Sequence, residues 1–275
     1  MSQKPETCVC FAAAADPLSG AGGRGLVNAL WLTEVSLSRD VAVGGAGVCG
    51  VPLENVDLFV KNANRYPSAD FILWLDYKRI NDNTRFWVGS FVYDRSLHGN
   101  IRICDLNSIP AYENEDTFSL EKPASSARAS IGSVYVRADY ARILVLDHCL
   151  CHTKDRAFII YADMDCMDVD LNWAKETIAM HGIAAHDFGH GRVSHAYIGL
   201  DPRDRLVRKW FPDLAVCALK DARSGYLGGD VFNMFVEALR ADGRFDGLIQ
   251  VRKKLLPPLG HRLDPLPRLM ELGIS

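Results

Sequence analysis

The chain has 275 residues, 48% of them hydrophobic, with 31 Lys and Arg against 34 Asp and Glu. This length and apolar content predict one domain over residues 1–275. The net charge is −3, so the chain does not have the excess of basic residues that is typical of proteins that bind nucleic acids or anionic membranes. No apolar run approaches the roughly 18 residues of a membrane helix, and no signal-peptide layout begins the chain. We therefore expect a cytoplasmic protein, or an effector secreted by a non-classical route.

The first elements along the chain surround a glycine-rich loop. Residues 7–15 predict a buried strand, residues 16–23 are rich in turn formers, and the apolar spacing of residues 25–37 predicts a helix. A strand, a glycine-rich loop and a helix in this order can present backbone N–H groups to a phosphate or a nucleotide.

A second glycine-rich stretch supports an alternative function. Gly45, Gly47 and Gly50 fit the G-x-G-x-x-G pattern after a short apolar run, as in an NAD(P)-dependent oxidoreductase. Such a site also needs an acid that ends the next strand, and Asp76 follows the apolar run 71–75. The other interpretation of these glycines is a tight connection at a strand end.

The remaining elements are predicted from apolar periodicity and from turn residues. In chain order they are a helix at 53–66, strands at 70–76, 86–93 and 101–104, a loop at 111–132, a helix at 135–150, strands at 181–185 and 193–200, a short helix at 206–211 and a helix at 231–240. The loop at 111–132 is either a mobile lid over a site or an ordinary surface excursion.

One strand ends in two carboxylates. The apolar run 158–162 is followed at once by Asp163 and Asp165. In open α/β sheets ligands bind at the carboxyl ends of the strands, and two carboxylates there suit a divalent cation that bridges substrate phosphates. The alternative is a solvated acidic turn, since Asp168 and Asp170 follow directly.

A group of histidines supports a rival hypothesis. His186 and His190 are four residues apart, so on a helix they would share a face and could hold zinc in a hydrolase. Gly189 between them argues against a helix. Together with His181 and His195, these residues would otherwise line the acceptor side of a site or form a polar turn.

Several motifs in order resemble one enzyme family. Tyr140-Ala141-Arg142 on a helix and Tyr161-Ala162-Asp163-Met164-Asp165 at a strand end are similar to the Tyr-x-Arg and Asp-x-Asp motifs of the retaining glycosyltransferases of the glycogenin and lipopolysaccharide galactosyltransferase type. Phe11-Ala12-Ala13 resembles the start of the Phe-Ala-Ala-Asp-Asp motif that ends that family's first strand. Asp139 and Arg142 also fit the Asp-x-x-Arg pattern of bacterial toxin glycosyltransferase domains.

Weaker copies of family motifs follow. Residues 194–201 resemble the Asn-Ala-Gly segment, residues 228–233 resemble the Asp-Gln-Asp helix start, and His261 lies in the region of a metal-binding histidine. The family's acids are replaced by Ala14 and Ala15 in the first strand, and its Asp-Gln by Gly228-Gly229. These departures leave open a non-catalytic protein that binds nucleotide sugars.

The resemblance implies an α/β fold of the GT-A type, with a central mixed, mostly parallel sheet flanked by helices. Residues 7–165 would bind the nucleotide sugar, and residues 166–275 would form the acceptor side and a C-terminal wrapping tail. It implies metal-dependent transfer of a sugar, with retention of configuration, from a UDP-sugar or other nucleotide sugar to a saccharide or protein acceptor.

The resemblance also implies a set of site residues. The metal, Mn²⁺ or Mg²⁺, would be held by Asp163, Asp165 and His261; imidazole favours Mn²⁺. The donor would contact Phe11, Ala12, Ala13, Asp16, Tyr140, Arg142, Asp163 and Met164. The catalytic residues would be Asp230, Arg142 and Asp139.

Overall fold

A computed structural model describes residues 18, 22–32, 47–48, 51–113, 133–164, 170–189 and 192–223 of the chain. The strands of this part are β1 (Gly25–Trp31), β2 (Gly47–Val48), β3 (Val51–Pro52), β4 (Ala69–Leu75), β5 (Ile101–Asp105), β6 (Ile159–Ala162), β7 (Ile183–Gly189) and β8 (Arg192–Leu200). The helices are α1 (Leu53–Arg65), α2 (Asp82–Arg95), α3 (Pro110–Glu113), α4 (Ser133–His152), α5 (Leu171–His181) and α6 (Arg205–Arg223). The described residues contain no helix long and apolar enough to cross a bilayer.

Six strands form one mixed sheet in the order β5-β4-β1-β6-β8-β7. Strands β5, β4, β1 and β6 are parallel, whereas β8 runs antiparallel to both β6 and β7. The predicted α/β fold, with a mixed and mostly parallel sheet, is confirmed. Strands β2 and β3 pair with each other in a separate antiparallel ladder.

Helices cover both faces of the sheet. One core contains Leu26 and Leu30 of β1 together with residues of α4 and α6, such as Leu144 and Phe211. The core on the opposite face contains Val27 of β1 together with residues of α1, α2 and α5. Because both faces are buried, the central strands are almost continuously apolar.

The helix predicted over residues 25–37 is wrong for the part that the structure describes. Residues Gly25–Trp31 form β1, which lies at the centre of the sheet between β4 and β6. A short apolar run that is buried on both sides has no periodicity that separates a strand from a helix. Gly25 is needed at its start, because a Cβ atom there would overlap the ring of Phe158.

The strand predicted at 86–93 is also wrong, since these residues belong to helix α2. The aromatic residues of this segment favour a strand by propensity. The helix is started by Asn81, whose side-chain oxygen accepts a hydrogen bond from the Thr84 amide at 2.8 Å. Packing of Val88 and Val92 into the core then stabilises the helix.

Helix α5 was not predicted, and Asp170, the last acid of the acidic stretch before it, is its N-cap. The Asp170 carboxylate accepts hydrogen bonds from the amides of Asn172 and Trp173 at 3.0 and 3.2 Å. Gly182 ends the helix with a φ of 79°. The short helix predicted at 206–211 extends over Arg205–Arg223.

The other predictions for described residues are confirmed in type. The helices at 53–66 and 135–150 are α1 and α4, and the strands at 70–76, 101–104, 181–185 and 193–200 are β4, β5, β7 and β8. The predicted loop at 111–132 begins with the end of α3, and its residues 114–132 lie outside the described residues. The strand at 7–15 and the helix at 231–240 lie outside them as well.

Candidate functional site

Asp163 lies directly after β6, at the edge of the sheet where the parallel strands end. All four residues of β6 are buried, whereas the Asp163 side chain is 26% exposed. The Asp163 amide donates to the carbonyl of Ala196 in β8 at 2.8 Å, which fixes the backbone. The Tyr161 hydroxyl donates to Asp163 Oδ1 at 2.6 Å. Among the described residues, none donates a hydrogen bond to Oδ2, so this oxygen remains available to a ligand.

Arg142 of α4 bridges two carboxylates. Its Nη2 atom lies 3.0 Å from Asp139 Oδ1 and 3.4 Å from Asp163 Oδ1. Its Nη1 atom donates to the carbonyl oxygen of His195 at 3.3 Å, and its guanidinium carbon lies 5.4 Å from the Tyr161 ring centroid. A guanidinium that is only 8% exposed is stable because these acceptors replace water.

His195 of β8 completes the cluster. Its Nε2 atom lies 2.9 Å from Asp139 Oδ1, the same oxygen that faces Arg142. The sequence placed His195 in the predicted strand 193–200, and its side chain on the acceptor side of a site or in a polar turn. Its contact with Asp139 depends on how α4 and β8 pack, for which no local sequence signal exists.

Among the described residues, two carboxylates of this cluster face one guanidinium. Asp139 and Asp163 both lie beside Nη2 of Arg142. Burial, and next the Asp163 carboxylate, raise the pKa of Tyr161 well above its ordinary value, so its hydroxyl stays protonated. The two carboxylates thus lie beside the partly exposed Asp163 side chain, an arrangement that suits a cation.

Two predicted donor-binding residues are buried in the cores beside the cluster. Tyr140 packs in the core that contains Leu144, on the α4 side of the sheet. Met164 is 2% exposed and packs in the core on the opposite face. Their contact with a donor stays a prediction.

The other predicted site residues lie outside the described residues. They are Phe11, Ala12, Ala13, Asp16, Asp165, Asp230 and His261. In the described part of the chain, the parallel neighbour of β6 is β1, and its other neighbour is β8.

No group of three or more His, Cys, Asp or Glu side chains that could hold a metal occurs among the described residues. From the predicted metal set, this part of the chain supplies Asp163 alone. Its free Oδ2 atom is the hard oxygen ligand that Mg²⁺ and Mn²⁺ accept. The donor chemistry of Asp163 thus fits the predicted ion, and the roles of Asp165 and His261 stay predictions.

A second polar cluster surrounds Asp76 at the end of β4. Asp76 Oδ2 accepts from the Tyr112 hydroxyl at 2.7 Å and lies 3.1 Å from Arg79 Nε and 3.4 Å from Arg137 Nη2. Asp76 Oδ1 accepts a hydrogen bond from the side-chain amide of Asn107 at 2.8 Å. Burial, and next the Asp76 charge, raise the pKa of Tyr112, so its hydroxyl remains a donor. The sequence did not predict this cluster.

The described residues do not support the oxidoreductase alternative. Gly47 lies in β2, which pairs with Val51–Pro52 rather than with the main sheet. Asp76, the acid that a ribose would need, is 1% exposed, and both of its oxygens accept hydrogen bonds from the protein. A dinucleotide site needs a strand of the main sheet before its glycines and an acid with a free oxygen.

The zinc hydrolase alternative also lacks support in this part of the chain. His186 lies in strand β7, where residues four apart do not form the helical metal-binding pair that the spacing suggested. His190 lies outside the described residues.

The comparisons with known proteins give structural matches alone, because no protein-family model and no curated protein matches this sequence. One match is the PaToxG glycosyltransferase, with 13% identity, 91% of this chain and 78% of that chain covered, and a TM-score of 0.43. Another is the galactosyltransferase LgtC in complex with donor and acceptor sugar analogues. The match has 14% identity and a TM-score of 0.44, and it covers 76% of this chain and 69% of that chain. Mouse xyloside xylosyltransferase 1, in its apo form, matches with 9% identity and a TM-score of 0.49. This match covers 92% of this chain and 94% of that chain.

These three solved structures are glycosyltransferases, the class that the sequence motifs resemble. Their TM-scores are below 0.5 and their identities are below 15%. They therefore assign no activity to this chain, whose function has to be inferred from its own residues.

Proposed function

We propose that this chain is a glycosyltransferase that moves a sugar from a nucleotide sugar, with UDP as the expected nucleotide, to a saccharide or protein acceptor. The observation that supports the proposal is the arrangement of Asp139, Arg142 and Asp163 at the carboxyl end of β6. The Tyr-x-Arg spacing of α4 and the carboxylate after β6 resemble motifs of the glycogenin and galactosyltransferase type, and the Asp-x-x-Arg spacing resembles that of the bacterial toxin domains. Metal dependence and retention of configuration are part of the same proposal.

The reaction requires that charge is stabilised as it develops. When the bond between the sugar carbon and the phosphate oxygen breaks, negative charge grows on the leaving diphosphate and positive charge grows on the sugar. Arg142 would stabilise the diphosphate, because its guanidinium is held in place before the substrate arrives. Asp139 would accept a hydrogen bond from a sugar hydroxyl, and its charge favours a cationic sugar nearby.

Asp163 would bind the metal through Oδ2, with Asp165 and His261 as the other predicted ligands. A bound divalent cation would neutralise part of the diphosphate charge. The Tyr161 hydroxyl and Arg142 both engage Oδ1, so among the described residues Oδ2 is the oxygen that is left for the ion. Asp230, outside the described residues, stays a proposed catalytic residue.

The proposal is tested by thermal denaturation with UDP-sugars and GDP-sugars, each with and without Mn²⁺, and by release of free sugar from the same donors. A ligand that binds only the native state raises the denaturation temperature by mass action. We expect stabilisation that needs both a nucleotide sugar and Mn²⁺, and that disappears in Asp163→Asn. Asp94→Asn, on the exposed surface of α2, is the matched control and should behave as wild type.

Two outcomes would contradict the proposal. The first is stabilisation by NAD(P) and by no nucleotide sugar, which would favour the oxidoreductase. The second is binding of a nucleotide sugar without transfer or release of its sugar under any condition, which would favour the non-catalytic binding protein.

A further inference from the structure

Helix α4 carries two histidines one turn apart near its C-terminal end. His148 and His152 are four residues apart, so their side chains lie on the same face of the helix. Their ring centroids are 4.4 Å apart, with an angle of 45° between the ring planes. Two imidazoles that bind one ion through nitrogens at about 2.1 Å have ring centroids about 5 Å apart. The two rings of α4 are thus close to the separation that a shared metal ion requires.

The hydrogen bond of His152 selects the nitrogen that can bind an ion. Its Nδ1 atom lies 2.8 Å from the carbonyl oxygen of His148. Because a carbonyl only accepts, Nδ1 of the neutral ring carries the proton and Nε2 carries the lone pair. Metal-binding histidines commonly have this arrangement, in which a backbone carbonyl fixes the ring and the other nitrogen binds the metal. His152 is exposed, so an ion can reach Nε2 from solvent.

The ring of His148 is oriented by the core beneath it. It meets the ring of Trp74 edge to face, with centroids 6.2 Å apart and an angle of 85° between the planes. Trp74 is fully buried, and its Nε1 atom donates to Asn28 Oδ1 at 2.9 Å. An imidazole binds a metal through one nitrogen, and its other nitrogen can keep a partner in the protein. Both rings are therefore held before an ion arrives, which reduces the entropic cost of binding.

The position of the pair on the helix also favours a cation. The C-terminus of an α-helix carries a partial negative charge, and α4 ends at His152. In the described part of the chain no group of three or more metal-binding side chains occurs. An ion held by the two imidazoles would therefore keep water in its other coordination positions.

We propose that His148 and His152 together form a binding site for a divalent transition-metal ion, with Zn²⁺ as the expected ion. Imidazole suits Zn²⁺, whereas Mg²⁺ and Ca²⁺ prefer oxygen ligands, and Zn²⁺ has no geometric preference that two protein ligands would violate. His148 follows Arg142 by six residues, or about 9 Å along the helix. The site is separate from the carboxylate of Asp163, goes beyond the proposed function and does not depend on it.

The test is titration of the protein with Zn²⁺ in a reducing buffer, without nucleotide or sugar, followed by calorimetry and by thermal denaturation. An ion that binds only the native state raises the denaturation temperature. His152→Ala and His148→Gln each remove one ligand. Each should weaken Zn²⁺ binding by at least the roughly 10- to 100-fold that loss of an outer-shell partner costs. Zn²⁺ that binds elsewhere in the chain is common to wild type and variants, so the difference between them reports on the pair.

Two variants serve as controls. His98→Ala removes a histidine from an exposed loop after α2 and should bind Zn²⁺ as wild type does. Cys151→Ser removes the exposed thiol beside His152 and should also bind as wild type does.

Three outcomes would overturn the proposal. The first is that wild type binds no Zn²⁺. The second is that His152→Ala binds Zn²⁺ as tightly as wild type; since His152 is exposed, this variant decides the question even if His148→Gln does not fold. The third is that Cys151→Ser loses Zn²⁺ binding and His152→Ala retains it, which would assign the ion to the thiol. Because no sugar donor is present, failure of the proposed transferase activity would leave each result unchanged.

Discussion

Two carboxylates lie at the same edge of the sheet with opposite fates. Asp76 after β4 is 1% exposed and accepts hydrogen bonds through both oxygens, whereas Asp163 after β6 is 26% exposed and, among the described residues, is engaged through Oδ1 alone. Both are accompanied by a tyrosine hydroxyl and by arginine from α4. The two carboxylates therefore differ in how many of their oxygens accept hydrogen bonds from the described residues, and not in the types of residue around them.

Charge balance separates the two clusters in the same way. Around Asp76, two arginines face two carboxylates, because Asn107 links Asp76 to Asp105 with 2.8 Å hydrogen bonds to each. Around Asp163, the described residues place two carboxylates beside one arginine, Arg142. A hydrogen-bonded and saturated cluster serves the fold, whereas a carboxylate oxygen that no described donor reaches is available for a ligand.

The largest expected effect is on stability, at Asp76. Asp76→Ala removes the buried carboxylate that faces both Arg79 and Arg137, which should lower the free energy of unfolding by about 3–5 kcal/mol. Urea denaturation measures it, with Asp94→Ala as a surface control that should change it by less than about 0.5 kcal/mol. If Asp76→Ala lowered the free energy of unfolding as little as the control does, the Asp76 cluster would not have the structural role that separates it from Asp163.

The next effect is on activity, at Arg142. Arg142→Lys keeps the charge but loses the planar fork that reaches Asp139, Asp163 and the His195 carbonyl. We expect sugar transfer to fall by about 100-fold or more, in a protein that still unfolds cooperatively. Initial rates with a nucleotide sugar measure this. A lysine variant as active as wild type would mean that the charge alone is needed.

Alkaline pH should act on the Asp76 cluster. Burial raises the pKa of Tyr112 above its ordinary value, and burial with nearby Cys104 and Asp105 raises the pKa of Tyr77 to about 12. In the unfolded chain these tyrosines ionise near pH 10, so above that pH the unfolded state holds fewer protons than the native state and stability falls.

Each such tyrosine should contribute a loss of about 1.4 kcal/mol in unfolding free energy at pH 11, relative to pH 8. Urea denaturation at both pH values measures the loss, and Tyr112→Phe should reduce it by about one tyrosine's share. A pH dependence unchanged in Tyr112→Phe would show that Tyr112 ionises normally in the folded protein.

The smallest effect is expected at the surface beside the Asp76 cluster. Lys78 Nζ lies 2.6 Å from Glu113 Oε1, with both side chains 53% exposed. Lys78→Ala should change the free energy of unfolding by less than about 1 kcal/mol, and high salt should reduce the difference further. A larger effect would mean that the ion pair between Lys78 and Glu113 stabilises the fold together with the Asp76 cluster.

The sequence predicted the parts of the candidate site that are local. Asp139 and Arg142 share a face of α4 because they are three residues apart, and Asp163 follows an apolar run of strand length. The contact of His195 with Asp139 could not be predicted, because the two residues are 56 apart in the sequence. The same holds for the contacts of Asp76 with Asn107, Tyr112 and Arg137, whereas Arg79 lies only three residues from Asp76.

The errors in the fold have a similar cause. Strand β1 is buried on both faces, which removes the alternation that identifies a strand, and α2 exposes Phe86 and Trp87, which favour strands by propensity. The cap at Asn81 was the local signal for α2, and it is weaker in the sequence than the aromatic run.

The antiparallel pairing of β6 with β8 has a consequence for folding. Arg142 reaches its carbonyl acceptor across 53 residues, after the chain has passed through β6 and α5 and returned along β8. Closing so long a segment is entropically costly and tends to be slow. The cluster is therefore complete only when β8 has docked, and a ligand that binds there would select fully folded molecules over partly folded ones.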